Sequence, residues 1–109
     1  IKGVCAGLGY QGRVLSPTFQ LVREYKIIQK PRSKNQDIIL KIYHADLYRL
    51  ERRTEIETIG LGDYLADKEA VVLLEWAERL APKRLPKPRT EIKIEIVSEN
   101  VRKFDILNV

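Results

Sequence analysis

Ala70-Val71-Val72-Leu73-Leu74, followed at once by Glu75-Trp76, is the longest uninterrupted apolar run in the chain. These five residues are far too few to cross a bilayer, and a short apolar run of this kind predicts a buried strand. The stretch 38–43 predicts a second strand, which leads into His44-Ala45-Asp46. Each predicted strand is therefore followed by an acidic residue.

Helices and turns are predicted around these two strands. The apolar residues at positions 1, 4, 5 and 8 have the spacing of one helix face, and Gly9 stands where such a helix would end. Further helical segments are predicted at about 50–59 and at 63–66, with Gly60 and Gly62 marking the end of the longer one.

Two more strands complete the prediction. Residues 19–28 predict a strand in which Arg23 interrupts an apolar face. Ile92, Ile94 and Ile96 alternate with charged residues and predict a half-buried strand that pairs with 104–107 as a closing hairpin. We therefore predict one domain over residues 1–109, a small α/β fold with a mixed sheet and flanking helices.

The composition excludes several classes of protein. With one cysteine and one histidine, the chain has no internal disulfide and too few soft ligands for a structural zinc site. No segment resembles a signal peptide, so we expect a cytoplasmic protein without membrane contact. The net charge of +5 indicates either a solvated basic surface or contact with a polyanion, and the first interpretation is favoured because no RNA-binding motif is present.

Asp46 and Glu75 are the candidate functional residues. Ligands of open α/β sheets bind beyond the carboxyl ends of the strands, where a carboxylate can hold hydrated magnesium or orient a water. The alternative is that both are solvated residues at strand ends.

Several short strings occur in a fixed order and are more specific. They are Ser16-Pro17-Thr18-Phe19, Leu21-Val22, Glu24-Tyr25, His44-x-Asp46-Leu47-Tyr48-Arg49-Leu50, Gly60-Leu61-x-Asp63-Tyr64-Leu65 and Leu74-Glu75-Trp76 with Glu78-Arg79. In this order the series resembles the TsaE family over nearly the whole chain.

The resemblance implies a compact P-loop ATPase fold that uses ATP and Mg²⁺. Ser16 and Thr18 match a switch-type loop that faces the nucleotide. Asp46 matches an acidic residue that helps to hold magnesium, Glu75 a catalytic residue that positions the attacking water, and Trp76 an aromatic residue near the nucleotide. The implied partners are the two paralogous subunits of the complex that transfers threonylcarbamoyl to tRNA, which ATP hydrolysis would reset between turnovers.

The chain departs from the family pattern in one respect. No GxxxxGK[ST] phosphate loop, the Walker A motif, occurs in these residues, and the family's first strand and loop would lie ahead of Ile1. The GxGxxG spacing of 7–12 does not replace it, because that motif needs a preceding strand. The sequence also contains no methionine. We therefore expect an internal piece of a longer protein that binds ATP weakly by itself.

Other interpretations remain open at this stage. His44 can simply form a hydrogen bond at a strand end, Trp76 can belong to the core, and Tyr48 can pack at the surface. For the whole chain, the alternatives to an ATPase subunit are a non-enzymatic domain that docks on partner proteins and a basic domain that binds nucleic acid.

Overall fold

The computed structural model describes residues 1–17, 22–27, 41–48, 60–80 and 84–109. In chain order the elements are α1 (Lys2–Gly7), β1 (Val22–Lys26), β2 (Lys41–Asp46), α2 (Leu61–Ala66), β3 (Ala70–Glu75), a 3-10 turn (Ala77–Arg79), β4 (Thr90–Ser98) and β5 (Val101–Asn108). The helix predicted at 50–59, and Thr18 in the switch-type loop, lie outside the described residues.

The first three strands form the predicted mixed sheet, in the order β1-β2-β3. β1 runs antiparallel to β2, whereas β3 runs parallel to it. Because side chains alternate along a strand and register partners share a face, Ile42, His44 and Asp46 lie on one face of the sheet. Tyr43 and Ala45 lie on the other.

The helix α1 covers the face that carries Ile42. Buried Cys5 packs with Tyr25, Ile27 and Ile42 in one apolar cluster, which confirms that the cysteine is a small core residue. The helix ends at Gly7, and the terminating glycine that we predicted, Gly9, follows its C-cap with a φ of 96° that is easily adopted only by glycine. Its N–H and that of the next residue donate to carbonyls of the last turn, at 3.0 and 2.9 Å.

The opposite face packs against α2. Leu47, Leu61 and Leu80 form its buried cluster, and the ring of Tyr43 lies 4.7 Å from that of Tyr64. This helix begins after Gly60, which has a φ of 71°. The helical turn predicted at 63–66 is confirmed and begins two residues earlier, so Gly62 lies inside it. The helix whose end the two glycines were predicted to mark lies outside the described residues.

β3 is a strand as predicted, but it is half-buried along its whole length. We predicted that this strand is fully buried, and that part of the prediction is therefore wrong. Among the described strands β3 pairs only with β2, so its apolar side chains have a neighbouring strand on one side only. Periodicity identifies a strand, but burial depends on what packs beside it.

The strands β4 and β5 form a separate antiparallel hairpin. Its apolar face places Ile92 opposite Ile106 and Ile94 opposite Phe104. We predicted a half-buried strand here, but every residue of both strands is exposed, up to 76% for Ile96. The prediction of a hairpin is thus confirmed. The prediction that it is half-buried is wrong, because no described element covers its apolar face.

In the described part of the chain, no helix combines the length and the hydrophobicity that a membrane span requires.

Candidate functional site

The parallel pairing of β2 and β3 brings Asp46 and Glu75 together. They are register partners at the carboxyl ends of their strands, so both side chains lie on the same face. The N–H of Leu47 donates to the carbonyl of Glu75 at 3.0 Å and extends the pairing by one residue. Of the predicted site residues, these two are therefore adjacent at one edge of the sheet, where ligands of such sheets bind.

His44 contacts the candidate catalytic carboxylate. Its Nε2 lies 3.0 Å from Oε2 of Glu75, and the exposed fractions of the two side chains are 3% and 38%. With a carboxylate oxygen as the acceptor, the donor in this bond is the N–H at Nε2. The interpretation of His44 as a hydrogen-bonding residue is confirmed, but it lies inside β2 and not at its end. Its partner is the acidic residue at the end of the next strand.

Arg23 lies beside this pair and was not recognised from the sequence. It is the register partner of His44 in the antiparallel ladder, so its side chain shares the face with His44 and Glu75. Within the described residues, Nε of Arg23 and Nδ1 of His44 are buried without a hydrogen-bond partner. Such atoms are uncommon in folded proteins and are found at functional sites. The only sequence signal was a charge within an otherwise apolar face.

Asp46 also shapes the chain that follows β2. Its Oδ1 accepts a hydrogen bond of 2.9 Å from the N–H of Tyr48, a turn that aspartate side chains commonly stabilise. The residue is half-buried and lies at the carboxyl end of β2. The geometry fits a residue that holds a hydrated cation.

Trp76 has an unusual backbone. Its φ of 59° and ψ of 40° lie in the left-handed region, which costs a residue with a side chain about 1–2 kcal/mol. The side chain is 49% exposed, so its interpretation as a core residue is wrong. Strain of this kind tends to occur at functional sites. Nothing in the local sequence signals it, since glycine or asparagine usually occupies such a position.

The ring of Trp76 belongs to a small exposed stack. Its centroid lies 4.9 Å from that of Tyr48, and the guanidinium of Arg79 lies 5.4 Å from the Tyr48 centroid. Tyr48 follows Asp46 and Trp76 follows Glu75, so the stack flanks the acidic edge. The two rings are tilted by 46° to each other, and together they form an exposed aromatic surface beside the carboxylates.

Ser16 is exposed on a loop fixed to the same face of the sheet. The hydroxyl of Tyr25 donates to the carbonyl of Leu15 at 2.9 Å and lies 3.1 Å from its N–H. Tyr25 is the register partner of Ile42, so this loop crosses the face that carries His44. Thr18 lies outside the described residues, and no contact joins Ser16 to the acidic pair within the described ones.

Near the amino ends of the same two strands, the Asp67 carboxylate has hydrogen bonds at both of its oxygens. Oδ2 of Asp67 accepts from the Tyr43 hydroxyl at 2.8 Å and from Lys41 Nζ at 3.4 Å, and Oδ1 accepts from the N–H of Glu69 at 3.0 Å. The bond from Glu69 is the main cause of a lowered pKa of Asp67, with the Tyr43 bond next. The bond to Asp67 raises the pKa of Tyr43, and the Asp67 charge raises the pKa of Lys41.

No group of three or more His, Cys, Asp or Glu residues with metal-binding geometry occurs within the ranges that the structure describes. Any cation at the acidic edge would therefore complete its coordination with water or ligand oxygens, which is usual for magnesium.

Comparison with known proteins identifies close relatives. The model of the family described as "Threonylcarbamoyl adenosine biosynthesis protein TsaE" matches residues 1–104. The protein named "tRNA threonylcarbamoyladenosine biosynthesis protein TsaE" from Haemophilus influenzae is 41% identical over 72% of the chain and 42% of its own length. Those of Bacillus subtilis and Rickettsia bellii are 36% and 32% identical, over 94% and 99% of the chain and 56% and 64% of their lengths. The chain thus spans about half the length of these relatives.

Proposed function

Because the chain belongs to the TsaE family, which acts in tRNA threonylcarbamoyladenosine biosynthesis, we propose that it supplies the carboxylate half of an ATPase site supporting that modification. In this proposal the phosphate loop comes from a segment ahead of Ile1. ATP hydrolysis resets the complex that transfers threonylcarbamoyl, and the chain does not perform the transfer itself. The proposal implies a cytoplasmic location, where tRNA is modified.

One observation carries the proposal: Asp46 and Glu75 are register partners at the carboxyl ends of adjacent parallel strands. A phosphoryl-transfer site needs one carboxylate for the metal and another group for the water. Two carboxylates on one face, at the edge where nucleotides bind in open sheets, meet both needs. The exposed stack of Tyr48 and Trp76 beside them provides an apolar surface for part of a nucleotide.

Each residue has a separate role in the proposed site. Asp46 holds Mg²⁺ through water, with Tyr48 N–H fixing one carboxylate oxygen. When bound, Mg²⁺ neutralises charge on the phosphates. Glu75 accepts a hydrogen bond from the attacking water and orients it. Ser16 and Thr18 face the nucleotide from the switch-type loop, and Trp76 packs beside it.

The proposed partners are the two paralogous subunits of the threonylcarbamoyl-transfer complex, with tRNA contacted only through them. Glu78 and Arg79 are exposed in the 3-10 turn that follows the acidic edge. In this proposal they contact such a partner.

Calorimetric titration with Mg-ATP tests the proposal. We would compare the 109-residue chain with a version extended ahead of Ile1 by the phosphate loop of the family. The extended version is expected to bind and hydrolyse ATP, and the shorter one to bind it far more weakly. Equal binding by both would show that the nucleotide site lies within these residues. The proposal that a segment ahead of Ile1 supplies the phosphate loop would then be wrong.

A second candidate function is supported by a different feature. A non-enzymatic domain that docks on partner proteins would account for the exposed apolar face of the β4–β5 hairpin. An ATP hydrolysis assay on the extended version separates the two functions, because a docking domain extended with the loop would show no turnover.

A further inference from the structure

The chain contains a single histidine, and the roles proposed above do not use it. His44 is 2% exposed in the middle of the sheet, between its register partners Arg23 and Leu73. Its Nε2 contacts Glu75, and its Nδ1 has no hydrogen-bond partner among the described residues. The imidazole therefore has one polar contact in the described structure, and that contact is the candidate catalytic carboxylate.

We propose that His44 is a positioning residue that fixes the orientation of the Glu75 carboxylate toward the attacking water. This inference rests on the proposed function, because it assigns a task to Glu75 at the same site. His44 itself touches neither nucleotide nor water in the proposal.

The difference in burial between the two side chains supports this role. A glutamate side chain has three rotatable bonds, and that of Glu75 is 38% exposed, so by itself it would sample several orientations. The His44 ring is closed in on both sides by neighbouring strands and cannot follow such motion. A bond of 3.0 Å from this fixed ring holds Oε2 in place. Oε1 is then left to accept from a water at a defined position.

A purely structural histidine predicts a different arrangement. Buried histidines that serve packing usually have hydrogen bonds at both ring nitrogens, because an unsatisfied buried nitrogen is costly. Here the ring is bonded at Nε2 and leaves Nδ1 without a partner in the described residues. Among the described residues, the contact with Glu75 is therefore the one polar contact of the ring.

The test compares two substitutions of His44 in the version extended ahead of Ile1 by the phosphate loop, which the proposed function expects to hydrolyse ATP. His44→Gln retains a donor that can reach Glu75, whereas His44→Leu fills the space without one. We expect His44→Leu to lower kcat about tenfold with KM for Mg-ATP unchanged within about twofold, since a misplaced catalytic group slows chemistry more than binding. His44→Gln should recover most of the loss. In a Glu75→Gln background, His44→Leu should lower kcat less than about twofold further.

The outcomes separate this inference from the proposed function. If Glu75→Gln hydrolyses ATP as fast as the unmodified protein, the role of Glu75 in the proposed function is wrong. If Glu75→Gln is inactive but His44→Leu retains full kcat, the proposed function stands and the positioning role is overturned. Equal losses in His44→Leu and His44→Gln would also overturn it, because the retained donor would then have no effect.

A measurement without nucleotide covers the case in which His44→Leu fails to fold. In the 109-residue chain, nitrogen NMR of the imidazole should show the hydrogen on Nε2, and Glu75→Gln should shift the Nε2 resonance. A ring protonated only at Nδ1, or an Nε2 resonance unchanged by Glu75→Gln, would overturn the inference.

Discussion

The two ends of the β2–β3 pair are built from similar residue types but differ in how fully their polar groups are satisfied. At the amino end, both oxygens of Asp67 accept hydrogen bonds, from Tyr43, Lys41 and Glu69. At the carboxyl end, His44 has an unpartnered Nδ1 within the described residues, and Trp76 has a left-handed backbone. Complete satisfaction is typical of residues that stabilise a fold, and strain is typical of residues that bind or react.

This difference separates stability from activity in a testable way. Changes at the amino end should lower the melting temperature and leave ATP turnover intact. Changes to the Glu75 carboxylate at the carboxyl end should lower ATP turnover and leave the melting temperature nearly unchanged.

Glu75→Gln is expected to have the largest effect. If Glu75 orients the attacking water as proposed, removing its carboxylate should lower kcat for Mg-ATP by about a hundredfold or more, since catalysis of this kind contributes on that scale. Steady-state hydrolysis by the version extended with the phosphate loop measures it. Glu78→Gln is the matched control, because Glu78 is an exposed carboxylate three residues along the chain. If the Glu75→Gln protein kept more than half of the original rate, the assignment of activity to the carboxyl end of the β2–β3 pair would be wrong.

Tyr43→Phe should mainly reduce stability. The substitution removes the hydroxyl that donates to Asp67 at 2.8 Å and keeps the ring that packs on Tyr64. We expect the melting temperature to fall by roughly 5 °C, the scale for losing one hydrogen bond in a small domain, with kcat unchanged. Calorimetry measures the shift, and Tyr64→Phe, which keeps the same ring pair, is the control. Unchanged melting with reduced turnover would reverse our assignment of the two ends.

Substitutions of Trp76 should reveal the strain at the carboxyl end. Glycine adopts a φ of 59° without penalty and alanine does not, while both remove the indole. Trp76→Gly should therefore be more stable than Trp76→Ala by roughly 1 kcal/mol in urea unfolding. Both variants should bind Mg-ATP more weakly than the parent. Equal stability of the two variants would show that the backbone is not strained.

The smallest effect is expected from pH at the amino end. Folding lowers the pKa of Asp67 below its ordinary value of 3.8. The hydrogen bond from Glu69 is the largest cause, and that from Tyr43 is the next. This carboxylate therefore stabilises the fold when it is ionised. Its contribution is complete above the unfolded pKa, at about pH 5 and higher, and is lost as the pH falls through the lower folded pKa.

Unfolding curves for the parent and Asp67→Asn measure this contribution. The difference between them should be constant from about pH 7 to pH 5 and shrink below about pH 4. A difference that grows on acidification would mean that the pKa of Asp67 is raised and not lowered.

Local patterns in the sequence were sufficient for much of the fold. The apolar run at 70–74 and the alternation around Ile94 each predicted a strand that the structure contains. Their burial was predicted wrongly, because burial depends on neighbouring elements that periodicity does not specify. The mixed sheet predicted from the series of strands and helices is present, although which two strands run parallel depends on the fold and not on the strands themselves.

The candidate site was only partly predictable. Asp46 and Glu75 were recognisable because each follows an apolar strand, and their roles in catalysis remain predictions. The bond between His44 and Glu75 joins residues 31 positions apart, so it depends on strand register and has no local signal. Arg23 was an unexplained charge on an apolar face until its register partner was known. The backbone of Trp76 was unpredictable, since tryptophan rarely adopts that conformation.

The stack of Tyr48 and Trp76 also gives the protein an optical probe. Trp76 is the only tryptophan in the chain, so all indole emission comes from a ring located beside the acidic edge. A ligand that covers this half-exposed ring would shift its emission to shorter wavelength or quench it, without any attached dye. Occupancy of the site could then be followed continuously in the unlabelled protein, and any change in that signal would come from one known position.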